Sequence, residues 1–433
     1  MKNNSMFTVV LMGIFAVLLI GGVITFATYS SESSEEQIGQ VDIWGSYDRA
    51  EFDQFLGEIK KVRKGFEKVK YKEFSKDDFD QEVLEALASG NSPDLLFIDE
   101  TQMAQYLNKT FTFTAESYSR RVFQENFVEL AEVYFQNDGI VALPLAADPV
   151  VMYWNRDLFA SAGLAQPPKS WPDFFDLASE LSIVDESLNV RQSTIAFGET
   201  RNVNYFREIL ATLMFQIGNP VITNTRSGQM IATLRGDESI ESASPVLRFF
   251  TEFSDASKGV YSWNRSLPSA RDQFLGGKLA VYFAPASEIA TLRKKNPNLN
   301  FAIAEIPAVD EDVSRRKAVH ARLYGFMVPR ASDNIGGAFR AAVDMTNTQN
   351  ANIFSNISRL APVRRDLVNT VSNEVYQDVL KTEAIYARTF IDPNEVSTNG
   401  IFSRMIEYIT SGQRSIDESI SVSNAELNEL LEK

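Results

Sequence analysis

The sequence predicts an α/β fold with a mainly parallel sheet, arranged as two lobes built from discontinuous stretches and preceded by a transmembrane helix. Three observations carry that expectation. Strand and helix patterns alternate from Val41 to Asp99, as βαβ units require. Strand signals return between Leu279 and Pro329 after a helix-rich middle, so the chain revisits a sheet it had left. An uncharged apolar run opens the chain from Phe7 to Tyr29. The 433 residues fit two globular units at roughly 100–200 residues each.

The run FTVVLMGIFAVLLIGGVITFATY is long enough to cross a hydrocarbon core of ~30 Å as a helix. Lys2 precedes it, Glu32, Glu35 and Glu36 follow it, and the next basic residue is Arg49, which places the body outside the membrane. A cleaved signal peptide would have a shorter apolar core and a small-x-small cleavage site. Residues 1–6 then form a cytoplasmic tail, 7–29 the anchor and 30–38 a solvated linker.

VDIWG (Val41 to Gly45) reads as a strand. Phe52, Phe55, Leu56, Ile59, Val62 and Phe66 recur at helical spacing. VKYKEF (Val69 to Phe74) alternates as a second strand, and Phe79, Val83, Leu84 and Leu87 mark a helix that Gly90 terminates. PDLLFID (Pro93 to Asp99) reads as a buried strand. Further on, Ser170 and Asp173 open a helix through Leu181, and Val203–Ile217 and Pro245–Phe253 are amphipathic. LAVYF (Leu279 to Phe283), FAIAEIP (Phe301 to Pro307) and LYGFMVP (Leu323 to Pro329) read as strands. Ser415 and Glu418 form a capping box for the last helix. Interlobe crossings are expected near Ala147, Phe283 and Phe326, with 39–147 and 284–326 as one lobe and 148–283 and 327–433 as the other.

Composition narrows the chemistry. The chain has no cysteine and one histidine, His320, which excludes a disulfide scaffold, a cysteine nucleophile and a multi-histidine metal site. A formal charge of −15 argues against a nucleic-acid partner. No cofactor or metal is expected, and His320, near Lys317 and Arg322, reads as a surface residue.

Residues 143–181 read LPLAADPVVMYWNRDLFASAGLAQPPKSWPDFFDLASEL. Tyr153, Asn155, Asp157, Leu158, Phe159, Gly163, Pro167, Pro168, Trp171 and Phe174 give this stretch its resemblance to extracellular solute-binding protein family 1, the sugar-type receptors of ABC importers. Phe274–Val281, Leu360–Arg364 and Ile409–Glu418 resemble further elements of that family in order and spacing. The resemblance runs from about residue 40 to the C-terminus. It implies a two-lobe clamshell of the periplasmic-binding-protein type (type II, similar to maltose-binding protein). Such a protein takes a small solute, usually a sugar, and hands it to ABC permease subunits. Lacking cysteine, the chain has no lipid-attachment site, so the apolar run can take over the tethering.

A sugar site combines aromatic faces for C–H surfaces with carboxylate, amide or guanidinium groups for hydroxyls. Ligands of open α/β sheets sit outside the carboxyl ends of strands. That rule singles out Trp44, Tyr47, Asp48, Asp99 and Glu100. The resemblance implies Trp44, Asp48 and Arg49 as solute contacts, Asp148 as an acidic contact at the first crossing, and Asn204 with Tyr205 near an aromatic platform. Arg322 and Tyr324 border the third crossing. The family often carries a tryptophan after the second crossing; here Phe283 to Glu288 has none, and Trp263 is the available substitute. Each has a plainer alternative: Trp44 and Tyr205 as core, Asp48 as a helix cap, Asp148 as a turn residue. An enzyme would have to work through carboxylates, with Asp99 and Asp148 the first pair to consider for glycoside hydrolysis. A receptor presenting its ligand to a sensor kinase is a further alternative.

Overall fold

The structure is a computed structural model that describes residues 38–432 apart from 137–138, 226–227, 310–316 and 373. The expected anchor, Phe7 to Tyr29, lies outside the described residues. Among the described residues no helix is long and apolar enough to cross a membrane.

The first units form as their patterns predict. Strand β1 (Val41–Gly45) leads to helix α1 (Arg49–Val62), which buries Phe52, Phe55, Leu56 and Ile59. Asp48 caps α1 by accepting from the Glu51 N–H at 2.9 Å. Strand β2 (Val69–Glu73) is followed by helix α2 (Lys76–Ser89), capped by Ser75 and ended by Gly90 at φ +77°. Strand β3 (Leu95–Ile98) runs into the short helix α3 (Glu100–Met103), where Asp99 and Gln102 form a capping box. β1 lies between β2 and β3, parallel to both.

Strand β4 (Leu143–Asn155) joins the halves of the molecule, and every one of its side chains is buried. Helix α4 (Asp173–Leu181) follows, its Asp173 carboxylate accepting from the Ser170 N–H at 3.0 Å. Strand β5 (Val190–Ile195), helix α5 (Phe206–Gln216) and helix α6 (Ser244–Glu252) come next. Then come strands β6 (Leu279–Pro285), β7 (Phe301–Ala304) and β8 (Val319–Met327). The last third is helical: α7 (Ile335–Met345), α8 (Thr348–Ser358), α9 (Val375–Tyr386), α10 (Glu395–Thr410) and α11 (Ile416–Leu431). Ser415 and Glu418 complete the capping box of α11.

The sheet runs β2-β1-β3-β8-β4-β6-β5, extended by Ile183–Val184, with β7 also on β4. The first half of β4 pairs antiparallel with β8, and its second half pairs antiparallel with β6 and β7. Ala147 faces Leu323, so β4 and β8 pass between the halves side by side. This corrects two expectations. No crossing occurs at Phe283: β6 stays on the second half of β4 through Pro285, and β7 returns to Met152–Asn155. Conversely, α7 and α8, expected with the second lobe, pack on β1 and α1 of the first half, whereas α10 and α11 pack on α6 of the second. Apolar periodicity marks a strand as buried without naming its partner, which is why the boundaries were misplaced.

Candidate functional site

Where β4 and β8 pass between the halves, Asp148 and Arg322 stand opposite one another in register. The segments that follow β1, β3 and β6 deliver Tyr47, Asp99 and Ser287 around them. Asp148 is buried and accepts from the Ser287 N–H at 3.0 Å and the Ser287 hydroxyl at 2.6 Å. Burial pushes the Asp148 carboxyl up, against the Ser287 donors, which favour its charge.

The Arg322 guanidinium is ringed by carboxylates: Glu395 at 2.9 Å, Glu208 at 3.1 Å and Asp99 at 3.7 Å. Burial opposes its charge, but Asp99, Glu208 and Glu395 outweigh that and hold it well above the usual guanidinium range. Arg207 lies beside it, bonded to Asp392 and within 3.2 Å of Glu208. Burial works against the Glu208 carboxylate, yet Arg207 and Arg322 bring its pKa down to about 2. Both arginines keep a buried Nε–H without a partner. The second-half wall continues with Glu288, whose Oε2 accepts from Arg271 at 2.8 Å and from the Tyr205 hydroxyl at 2.5 Å, while its Oε1 has no partner. Tyr205 holds φ +59° at the start of α5, a left-handed turn that is uncommon for a bulky residue.

The first half adds aromatic rings. Trp44 packs against Phe74 at 4.8 Å, with the Lys72 ammonium over both rings at 4.6 and 4.3 Å. Tyr47 meets Tyr324 edge-on at 5.7 Å, and Tyr324 stacks on Phe97 at 5.9 Å.

The structure thus brings Asp99, Asp148, Tyr205, Arg322 and Tyr324 to one region, whereas Trp44 packs with Phe74 and Lys72. Asn204 supports that region by accepting from the Arg271 backbone N–H at 3.0 Å. Other expected contacts do different work. Asp48 is the cap of α1, and Arg49 lies exposed, paired with Asp53 at 3.2 Å. Glu100 is fully buried below Asp99, accepting from the Leu323 N–H at 2.7 Å. Trp263 is corrected from ligand platform to core: it is fully buried, with its indole N–H donated to Asn202 at 3.0 Å. His320 is corrected from surface to interior, since β8 turns its ring inward against Phe215.

Sequence reasoning missed Arg207, Glu208, Arg271 and Glu395. Their one trace is the charged pair Arg207–Glu208 inside an otherwise apolar helix. Among the described residues no group of three His, Asp or Glu side chains is arranged to hold a metal ion. A surface cavity of about 490 Å³, lined in part by Phe215, Asn219, Lys317 and Arg388, shares no residue with the charged cluster.

Comparisons with known proteins agree with this architecture. Among solved structures, the cyclic α-maltosyl-1,6-maltose binding protein of Arthrobacter globiformis superposes with a TM-score of 0.74 at 16% identity, over 90% of this chain and 98% of that one. A cyclo/maltodextrin-binding protein complexed with maltotetraose gives 0.72 at 14% identity, over 92% and 98%. At such identity the likeness is one of fold. In sequence, a binding protein of Brucella abortus is 21% identical over 235 residues, 53% of either chain. The sn-glycerol-3-phosphate-binding periplasmic protein of the same organism is 24% identical over 180 residues, 40% of this chain and 38% of that one. The chain therefore spans about half the length, or less, of the curated relatives it matches. The family model described as bacterial extracellular solute-binding protein matches residues 57–382, most of the chain. With that span matched, the chain belongs to the bacterial extracellular solute-binding proteins.

Proposed function

We propose that the protein captures a carbohydrate between the two halves of its sheet and delivers it to the permease of an ABC importer, tethered to the membrane by Phe7 to Tyr29. The observation that carries this reading is the facing pair Asp148 and Arg322 on the two crossing strands, surrounded by carboxylates, guanidinium groups and aromatic rings from both halves. Strands that pass side by side form a hinge, and closing a hinge around a solute stabilises the closed form by its extra contacts. We assign the first lobe to 38–147 with 323–370, and the second to 148–322 with 390–432. The cyclic α-maltosyl-1,6-maltose and the maltotetraose named for the similar folds favour a sugar over other solutes.

The glycerol phosphate bound by one set of relatives is a second reading. It sits poorly with a cluster in which Arg207, Arg271 and Arg322 each already face a carboxylate. Thermal unfolding of residues 38–433 with a panel of sugars, polyols and their phosphate esters decides between these. A solute at a hundred times its Kd stabilises the folded form by ~2.7 kcal/mol, so a hit is a clear rise in Tm. A rise with an oligosaccharide supports the proposal, a rise with phosphate esters alone favours the second reading, and no response across the panel refutes solute capture.

A further inference from the structure

Glu395 collects cations from three separate elements. Its Oε2 lies 2.8 Å from the Lys76 ammonium on α2, and its Oε1 lies 2.9 Å from Arg322 on β8 and 3.4 Å from Arg207 on α5. These elements belong to different parts of the molecule. α2 is fixed to the first half through Phe79, which meets Phe74 at 6.1 Å and Tyr106 at 6.3 Å. α10, which begins at Glu395, packs on α6 and α11 of the second half. α2 and α10 share no extended packing face, so what joins them is an ion pair between two helix tips. Val396, the next residue, is 80% exposed, so the tip of α10 stands clear of the core.

The placement of Lys76 points the same way. It is the first residue of α2, where the helix dipole favours acidic side chains, and Asp77 and Asp78 follow it. A lysine there is the wrong residue for its own helix, and such local mismatches mark sites kept for another purpose. Glu395 is by contrast well placed for the dipole of α10.

We propose that Glu395 is a positioning residue: its pair with Lys76 holds the two halves together over Arg322 and so favours the closed form of the hinge. The proposal rests on the hinge reading above, but its test needs no solute. Because the chain has no cysteine, spin labels can be placed by Glu82→Cys on α2 and Ser411→Cys after α10. The label-to-label distance is then measured in the full chain, held in lipid nanodiscs, by pulsed electron resonance. Lys76→Gln should raise the share of long separations about two- to five-fold, the scale of a half-exposed pair. Salt at 0.5 M should do the same to the parent and add nothing to Lys76→Gln. Lys76→Arg should keep the short distance. Unchanged distances in Lys76→Gln overturn the proposal, as does an equal shift in Lys76→Arg. A lower Tm in Lys76→Gln with unchanged distances overturns it too, because the pair is then merely structural.

Discussion

Glu100 and His320 lie against each other beneath the charged cluster, with Oε1 and Nε2 3.9 Å apart. Burial, with the nearby Asp99 charge, pushes the Glu100 carboxyl from 4.5 up to about 8, while burial pushes the His320 ring from 6.5 down to about 3. Both therefore stand neutral at pH 7, which removes two charges from an apolar place. The stability consequences have opposite signs. Folded Glu100 keeps its proton where the unfolded chain has lost it, so its contribution falls as pH rises from 4.5 to 8. Folded His320 refuses a proton that the unfolded chain takes, so its contribution rises with pH between 3 and 6.5. Burial also raises Glu383 to about 7, so its contribution falls with the same sign up to that pH, and the Glu100 effect is left to shape the profile from pH 7 to 8. Glu100→Gln should flatten the stability profile there and stabilise the protein by about 2–4 kcal/mol at pH 8, read by urea unfolding. A parent profile that is already flat from pH 6.5 to 8 would contradict the assignment. Two further residues separate site from scaffold. Asp148→Ala strands two donors of Ser287, so unfolding should cost about 1–3 kcal/mol less and solute affinity should drop. Trp263→Phe should lower Tm through the lost Asn202 bond and leave solute affinity intact.

At the scale of elements, β8 is the part on which the site depends. It carries His320, Arg322 and Tyr324 on one face by its two-residue period, and its register shifts between Tyr324 and Gly325. Gly325 has no room for a side chain: a Cβ would fall 2.7 Å from the Tyr134 ring and 2.9 Å from the Leu143 carbonyl oxygen. Gly325→Ala should force Tyr134 or β4 to move, costing about 1–3 kcal/mol by denaturant unfolding and weakening solute binding through Arg322. Unchanged stability would mean that the strand relaxes freely at the shift. Elements with strong local signals were legible in the sequence. α1, α2 and α11 announce themselves by cap, apolar stripe and terminal glycine or capping box. β7 was legible as a strand, but its antiparallel return onto Met152–Asn155 was not, because an alternating pattern is the same whichever neighbour it pairs with. The crossing misplaced to Phe283 follows from that one ambiguity.

For the whole molecule, the negative charge and the cleft chemistry are related. The formal charge of −15 is spread over the chain, yet the carboxylates that matter are few and converge from distant positions: Asp99, Asp148, Glu208, Glu288 and Glu395. Only Asp99 and Asp148 were read from the sequence, since both end or interrupt strands that local pattern reveals. Glu395 sits on a helix far beyond both in the chain, and nothing in its neighbourhood distinguishes it from a solvated helix start. Acidification should loosen the cluster: burial works against Glu395, but Arg322, Arg207 and Lys76 hold its carboxyl below the usual range. The stability that it gives is present above the ordinary carboxylate pKa and is lost as pH falls through the lower folded value. Label distances that stay short as pH falls through the ordinary carboxylate pKa of 4.5 would agree, and separation already above it would not. By itself, the sequence determined the element types, the α/β class, the absence of cysteine and multi-histidine chemistry, and the family to which residues 143–181 point. These are properties of periodicity, composition and local motif. Only the tertiary structure decided that β7 pairs back onto β4, that Trp263 and His320 are interior, and that Arg322 is shared among three carboxylates. Those facts depend on strand pairing and on contacts between residues far apart in the chain, and no local free energy encodes them.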